Sequence, residues 1–193
     1  MLAADPDMSS DEELMQSYVR GDTAAFHELF CRYGPLLLRL MRRDLVSPAE
    51  ADDLVQQTFL QVHRARRDFD SSRSLKPWIY TIALNVKREY LRARRRRPTQ
   101  SLEAGEEPGV EAVDPELEDR ARAMRKVLSA LPPQQREVIE LHWFEGLSFQ
   151  EVAQTLGIST TAAKVRAHRA YTRLRESLSG LDLGNPAPAS GIK

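Results

Sequence analysis

One cysteine among 193 residues leaves no partner for an internal disulfide, as befits a reducing compartment. Apolar residues nowhere run for the roughly 18 positions that a membrane-crossing helix needs, and no signal-peptide pattern opens the chain. The expectation is a soluble, cytoplasmic protein. Strand signals, which are period-two alternations of β-branched and aromatic residues between turns, are nearly absent, so the fold class indicated is all-α. Net charge is missing as well, since 28 Lys and Arg balance 28 Asp and Glu.

That balance hides blocks. Residues 1–60 hold 5 basic and 11 acidic groups, residues 61–100 hold 12 and 3, residues 101–119 hold none and 8, and residues 120–193 hold 11 and 6. A basic block can reach phosphates; an acidic one can meet a basic partner or repel nucleic acid. Solvated helix faces are the bland alternative.

Helix start signals are frequent. Ser10 with Glu13, Ser47 with Glu50 and Ser148 with Glu151 all have capping-box spacing, in which each side chain satisfies an orphan backbone donor. Pro48 stands at a first helical position, and Gly21, Gly146 and Gly157 stand where a left-handed exit is wanted. Helices are predicted at about 10–20, 22–45, 47–69, 75–96, 114–130, 133–145, 148–156 and 159–178. The stretch PTQSLEAGEEPGVEAVD, rich in Pro, Gly and acid and without apolar periodicity, suits a mobile linker. The predicted organisation is two small helical domains, 10–97 and 119–178, joined by a flexible acidic linker at 98–118 and followed by a disordered tail at 179–193.

The second domain has the parts of a helix-turn-helix in LSFQEVAQTLGISTTAAKVRAHRAYTRLRESL. Ser148 caps a short helix that points Val152, Ala153 and Leu156 inward. Gly157 breaks it, Ile158 fills the corner, and Ser159 caps the next helix. At about 100° per residue Ala163, Ala167, Ala170 and Leu174 fall on one narrow stripe, so that helix can lie close to its neighbours. Thr161, Val165, His168 and Thr172 fall opposite, flanked by Lys164 and Arg169. Such a face can hydrogen-bond base edges, touch thymine methyls and hold phosphates. Upstream, Val138, Ile139 and Leu141 are candidate core, Trp143 and Phe144 are read as packing, and His142 has no visible partner.

In LKPWIYTIALNVKREYLRARRRR, Trp78, Ile79, Ile82, Ala83, Val86 and Leu91 mark an apolar side, while Tyr80, Asn85, Lys87, Arg88 and Arg92 can project outward. Rings among cations suit single-stranded nucleic acid, because rings stack on unpaired bases and cations follow phosphates. The polar loop RRDFDSSRS before this helix is placed to close over an extruded base. Trp78 as plain core is the competing reading, and Arg94 to Arg97 read equally as a disordered basic tail or as cations that suit the dipole at a helix end. In the preceding helix Asp52, Asp53, Gln56 and Gln57 form a polar surface, with Leu54, Val55, Phe59 and Val62 as its apolar complement. A protein partner and mere solvation both fit that surface.

Two rival functions remain at this point. An ordinary helix-turn-helix regulator acting on duplex DNA explains the second domain but leaves the aromatic-basic helix without a job. A metal-dependent nuclease needs clustered carboxylates, whereas the neighbouring Asp52 and Asp53 diverge on their helix. His27 and Cys31, at i and i+4, make a poor zinc pair and are better read as a buried cysteine beside a polar histidine. No cofactor, metal or catalytic residue is expected.

Both halves together, DDLVQQTFLQVHRARRDFDSSRSLKPWIYTIALNVKREYLRARRRR and LPPQQREVIELHWFEGLSFQEVAQTLGISTTAAKVRAHRAYTRLRE, resemble the extracytoplasmic-function sigma factors, which direct bacterial RNA polymerase to promoters. The resemblance covers roughly residues 10 to 178. It implies that Asp53, Gln56, Gln57 and Phe59 dock on core polymerase. It implies that the downstream element is read by Phe69, Trp78, Tyr80, Asn85, Lys87 and Arg88, with Asn85 beside a pocket for a flipped base. The upstream element would be read by Thr161, Lys164, Val165, His168 and Arg169. Promoter DNA, core polymerase and an anti-sigma factor are the implied partners, and the implied function is recognition and melting of promoters without covalent chemistry. Gln57 stands where the family often has an acid, Thr161 where it usually has glycine and Ala163 where it usually has valine, so the promoter sequence does not transfer.

Overall fold

A computed structural model of the chain describes residues 9–43, 47–96, 124 and 126–179. The expected linker at 98–118, the expected helical residues 114–123 and the tail from residue 180 lie outside these. Among the described residues the regular structure is helical, and no helix is long and apolar enough to cross a membrane.

The first bundle holds α1 (Asp11–Val19), α2 (Thr23–Arg42), α3 (Pro48–Ala65) and α4 (Leu75–Arg96), with a 3-10 turn at Arg66–Asp68. α1 begins in the expected capping box: Ser10 Oγ accepts from the Glu13 N–H at 3.2 Å and Glu13 Oε2 from the Ser10 N–H at 2.8 Å. Asp22 caps α2 through the N–H groups of Ala24 and Ala25. The box expected at Ser47 and Glu50 does not form. Ser47 makes no side-chain cap bond, and Glu50 is drawn to α4, where its carboxylate lies 3.6 Å from Arg94 and bonds Tyr90. Leu29, Leu37, Leu40 and Met41 of α2 pack with Leu54, Phe59 and Val62 of α3 and Ile79 and Ala83 of α4. Stripes at helical spacing thus close one core.

Asp11 ties α1 to α2, accepting from Arg32 at 2.8 Å and from the Tyr33 hydroxyl at 2.5 Å. Burial, and then this carboxylate, hold the Tyr33 phenol well above its ordinary range, and Tyr80 is raised by burial and by its bond to Glu145. The folded chain therefore keeps two phenolic protons that the unfolded chain releases above the ordinary value of 10.0. Stability is full below that pH and falls above it, by up to about 1.4 kcal/mol per pH unit for each phenol. Urea midpoints measured from pH 8 to 11 should show the fall, and Tyr33→Phe should make it shallower.

The second unit has helical residues at 126–129, then α5 (Pro133–Ile139), which widens into a π-helical turn at Glu140–Phe144, α6 (Phe149–Leu156) and α7 (Thr160–Ser179). The expected single helix over 133–145 is thus α-helical only to Ile139. Gly21, Gly146 and Gly157 all have positive φ, as expected. Of two other expectations, packing of Trp143 and Phe144 holds at one side of each ring only, and a buried Cys31 is corrected. Trp143 and Phe144 are 59% and 45% exposed, with Trp143 edge-on to Tyr171 and the Arg43 guanidinium 4.5 Å above Phe144. Cys31 is exposed, because α2 turns Leu29 and Tyr33 inward instead, and its Sγ lies 3.6 Å from His27 Nε2. Among the described residues no three His, Cys, Asp or Glu side chains gather in a metal-holding group.

The two units share a core: Val138, Leu141, Leu147 and Val152 continue the cluster that holds Leu75 and Ile79. α4 therefore has two neighbours, the rest of its own bundle and the second unit. This decides the orientation of the candidate site residues on it.

Candidate nucleic-acid interface

The helix-turn-helix forms from its sequence signals as read. Ser148 and Glu151 close a capping box at 3.2 and 2.7 Å. Gly157 ends α6 at φ 64°, and the Ile158 N–H bonds back to the Ala153 carbonyl at 3.0 Å, which sets the corner. Ser159 Oγ accepts from the Ala162 N–H at 3.1 Å and starts α7. Ala163, Ala167 and Ala170 are buried in the seam. Thr161, Lys164, Val165, His168 and Arg169 are all exposed on the outer side. Among the described residues Lys164 and Arg169 have no acidic partner. The result is one rigid helix face that offers hydroxyl, imidazole, methyl and cationic groups together, the donor and apolar set that suits a major groove.

α4 departs further from expectation. Trp78 is half-buried against Phe69, with ring centroids 5.3 Å apart. The loop before it is locked by Asp70, whose Oδ1 accepts from the Ser72 N–H at 3.0 Å and the Ser72 hydroxyl at 2.7 Å. These bonds, followed by the charge of Arg73, hold the Asp70 carboxyl below its ordinary range. Phe69, Trp78, Asp70 and Arg73 line a cavity of about 190 Å³, to which Gln154 of α6 also contributes. Asn85 is exposed two turns further along α4 and is not among the lining residues.

Tyr80 and Lys87 do not project outward. Tyr80 is fully buried and donates to Glu145 Oε2 at 2.6 Å. Lys87 is buried too, donating to the Leu40 carbonyl at 3.0 Å with Glu140 at 3.7 Å. Arg88 is held in a bidentate pair by Glu137, at 2.9 and 2.8 Å, and that bond keeps its guanidinium pKa raised. Glu145 also takes Arg43 at 2.6 Å, while its carbonyl accepts from Lys76 at 2.6 Å. In this arrangement the second unit covers part of the α4 face.

On α3, Asp53, Gln56 and Gln57 are exposed, but Phe59 faces the core, packed on Phe26 and Phe30. The exposed apolar group beside them is Leu60, 47% accessible. The sequence carried a signal for it, since Leu60 falls out of phase with the buried 54, 55, 58, 59 and 62 positions. Glu137, Glu140 and Glu145 were also missed; their signal was acid inside an otherwise basic block.

Family comparison matches residues 29–97 to sigma-70 region 2 and residues 121–174 to sigma-70 region 4. The RNA polymerase sigma factor CarQ of Myxococcus xanthus is 37% identical over 170 residues, covering 88% of this chain and 98% of that one. Among solved structures, CnrH in complex with the cytosolic domain of CnrY aligns with a TM-score of 0.71 at 28% identity, over 89% of this chain and 99% of that one. The sigma factor RpoE in complex with the anti-sigma factor NepR from Bartonella quintana aligns with a TM-score of 0.60 at 28% identity, over 81% and 98%.

Proposed function

Since the chain belongs to the extracytoplasmic-function sigma factors, which bind core RNA polymerase and promoter DNA, we propose that α3, α4 and α7 divide the work of initiation among them. Residues 10–97 dock and read the downstream element, residues 119–178 read the upstream element, and residues 98–118 connect the two. The exposed face of α3, with Asp53, Gln56 and Gln57, meets the polymerase, and Leu60 adds an apolar anchor. The outer face of α7, with Thr161, Lys164, Val165, His168 and Arg169, enters the upstream major groove. Phe69 and Trp78 wall the cavity that receives an extruded base, Asn85 discriminates along the strand, and Tyr80, Lys87 and Arg88 support the strand once the second unit has moved away. The chain works by binding, in the cytoplasm, without covalent chemistry. Extruding a base costs a few kcal/mol, which stacking and hydrogen bonds in the cavity offset.

The observation that carries this reading is the pairing of two different surfaces in one chain: a rigid polar helix face fit for duplex, and an aromatic-walled cavity beside cations fit for single strand. Both solved structures align over most of the chain and both are complexes, one of them of a sigma factor with an anti-sigma factor. That supports reading the packed arrangement as a held, inactive form and an anti-sigma factor as a further partner. An Asn85→Ala chain bound to core polymerase should lose about 10-fold of its discrimination between downstream sequences on pre-melted templates, about 1.4 kcal/mol, while upstream protection stays unchanged. Equal discrimination by variant and wild type would reject the assignment.

A further inference from the structure

Residues 126–179 contain five acidic side chains, Glu137, Glu140, Glu145, Glu151 and Glu176, in a segment otherwise basic. Glu151 is used in a capping box. Three of the remaining four turn toward the first unit. Glu137 grips Arg88 through both oxygens, Glu140 approaches Lys87, and Glu145 accepts from Arg43 and Tyr80. Glu140 and Glu145 are buried. Alongside them, Gln154 lines the cavity walled by Phe69 and Trp78.

Carboxylates paired with cations and a phenol, beside an amide at an aromatic-walled cavity, match what a single strand would bring: phosphate oxygens along the backbone and a base edge in the pocket. Resting on the sigma reading above, we infer that Glu137, Glu140 and Glu145 form an intramolecular stand-in for the promoter strand. They close the downstream reader in the free chain and release it when the two units separate. Any interface that buries a phenol and cations must pair them; the pointer to a strand is that the paired groups are those the sigma reading assigns to it. Here Tyr80, Lys87 and Arg88 each have a carboxylate from the second unit. The consequence is competition: the free chain cannot hold its second unit and a strand on α4 together.

The test uses the full chain. One spin label sits on the native, exposed Cys31 and a second on Glu176→Cys, which is exposed on α7. The probe is a mixed-sequence single-stranded DNA of about 10 nucleotides. The triple variant E137Q/E140Q/E145Q should lengthen the label-to-label distance and tighten oligonucleotide binding by about 10-fold or more. Adding the oligonucleotide to the otherwise wild-type labelled chain should lengthen the distance too. Glu137→Gln alone, at a partly exposed position, should tighten binding about 3-fold with the helical content unchanged. An unchanged distance in the triple variant, or opening without a gain in strand binding, overturns the inference. The sigma reading itself is tested separately, by Asn85→Ala on polymerase-bound templates, so the two can fail independently.

Discussion

Alanine at both Lys164 and Arg169 lowers the affinity of the polymerase-bound chain for an upstream promoter duplex by about 10- to 1000-fold. Arg169 stands on the outer face of α7 near the middle of the helix, where a guanidinium can bridge base-edge acceptors, and its loss costs about 1–3 kcal/mol. Lys164, about a turn and a half earlier, is proposed to meet a phosphate, so removing it should weaken binding evenly across sequences and flatten the salt dependence by about one unit of slope. Gel-shift titrations at several salt concentrations separate the two terms. α7 is held by Ser159 and by buried alanines rather than by these cations, so the variant keeps its fold and its downstream contacts. A variant that binds as wild type at every salt concentration would move upstream reading off this face.

Leu141→Ala destabilises the second unit by about 2–5 kcal/mol, the sum of lost transfer energy and the void left behind. Leu141 is fully buried in the π-helical turn, within the core shared by the two units. Small domains have little to spare, since native stability totals only about 5–15 kcal/mol. Most of the unit's helical signal should therefore melt at much lower urea. Trp143→Ala, two residues on and 59% exposed, should shift the midpoint by only about 0.5 kcal/mol. Circular dichroism during urea unfolding reads both. Equal shifts would mean that the turn is not packed as described.

What the sequence made legible was local. Ser10, Ser148 and Ser159 announce helix starts because a cap is decided within four residues, and the alanine stripe on α7 announces its seam because the repeat is unbroken. Ser47 misled because Glu50 has better partners 40 or more residues away, in Tyr90 and Arg94. Tyr80 and Lys87 misled for a related reason. Periodicity predicts one buried face, and α4 has two, the second supplied by Glu140 and Glu145. Phe59 and Leu60 exchanged roles because adjacent positions differ by only about 100° around a helix, so a motif can be right while the outward side chain is its neighbour. Long-range pairing of this kind leaves little trace in a single sequence beyond acids standing in a basic block.

In-vitro transcription with core RNA polymerase on a genomic DNA library, followed by start-site mapping, tests the division of labour most directly. The account predicts initiation at a restricted set of sites sharing an upstream and a downstream element at fixed spacing, only when chain and core enzyme are both present. Start sites that core polymerase uses equally without the chain, or tight operator binding by the chain alone with no effect on initiation, would contradict it.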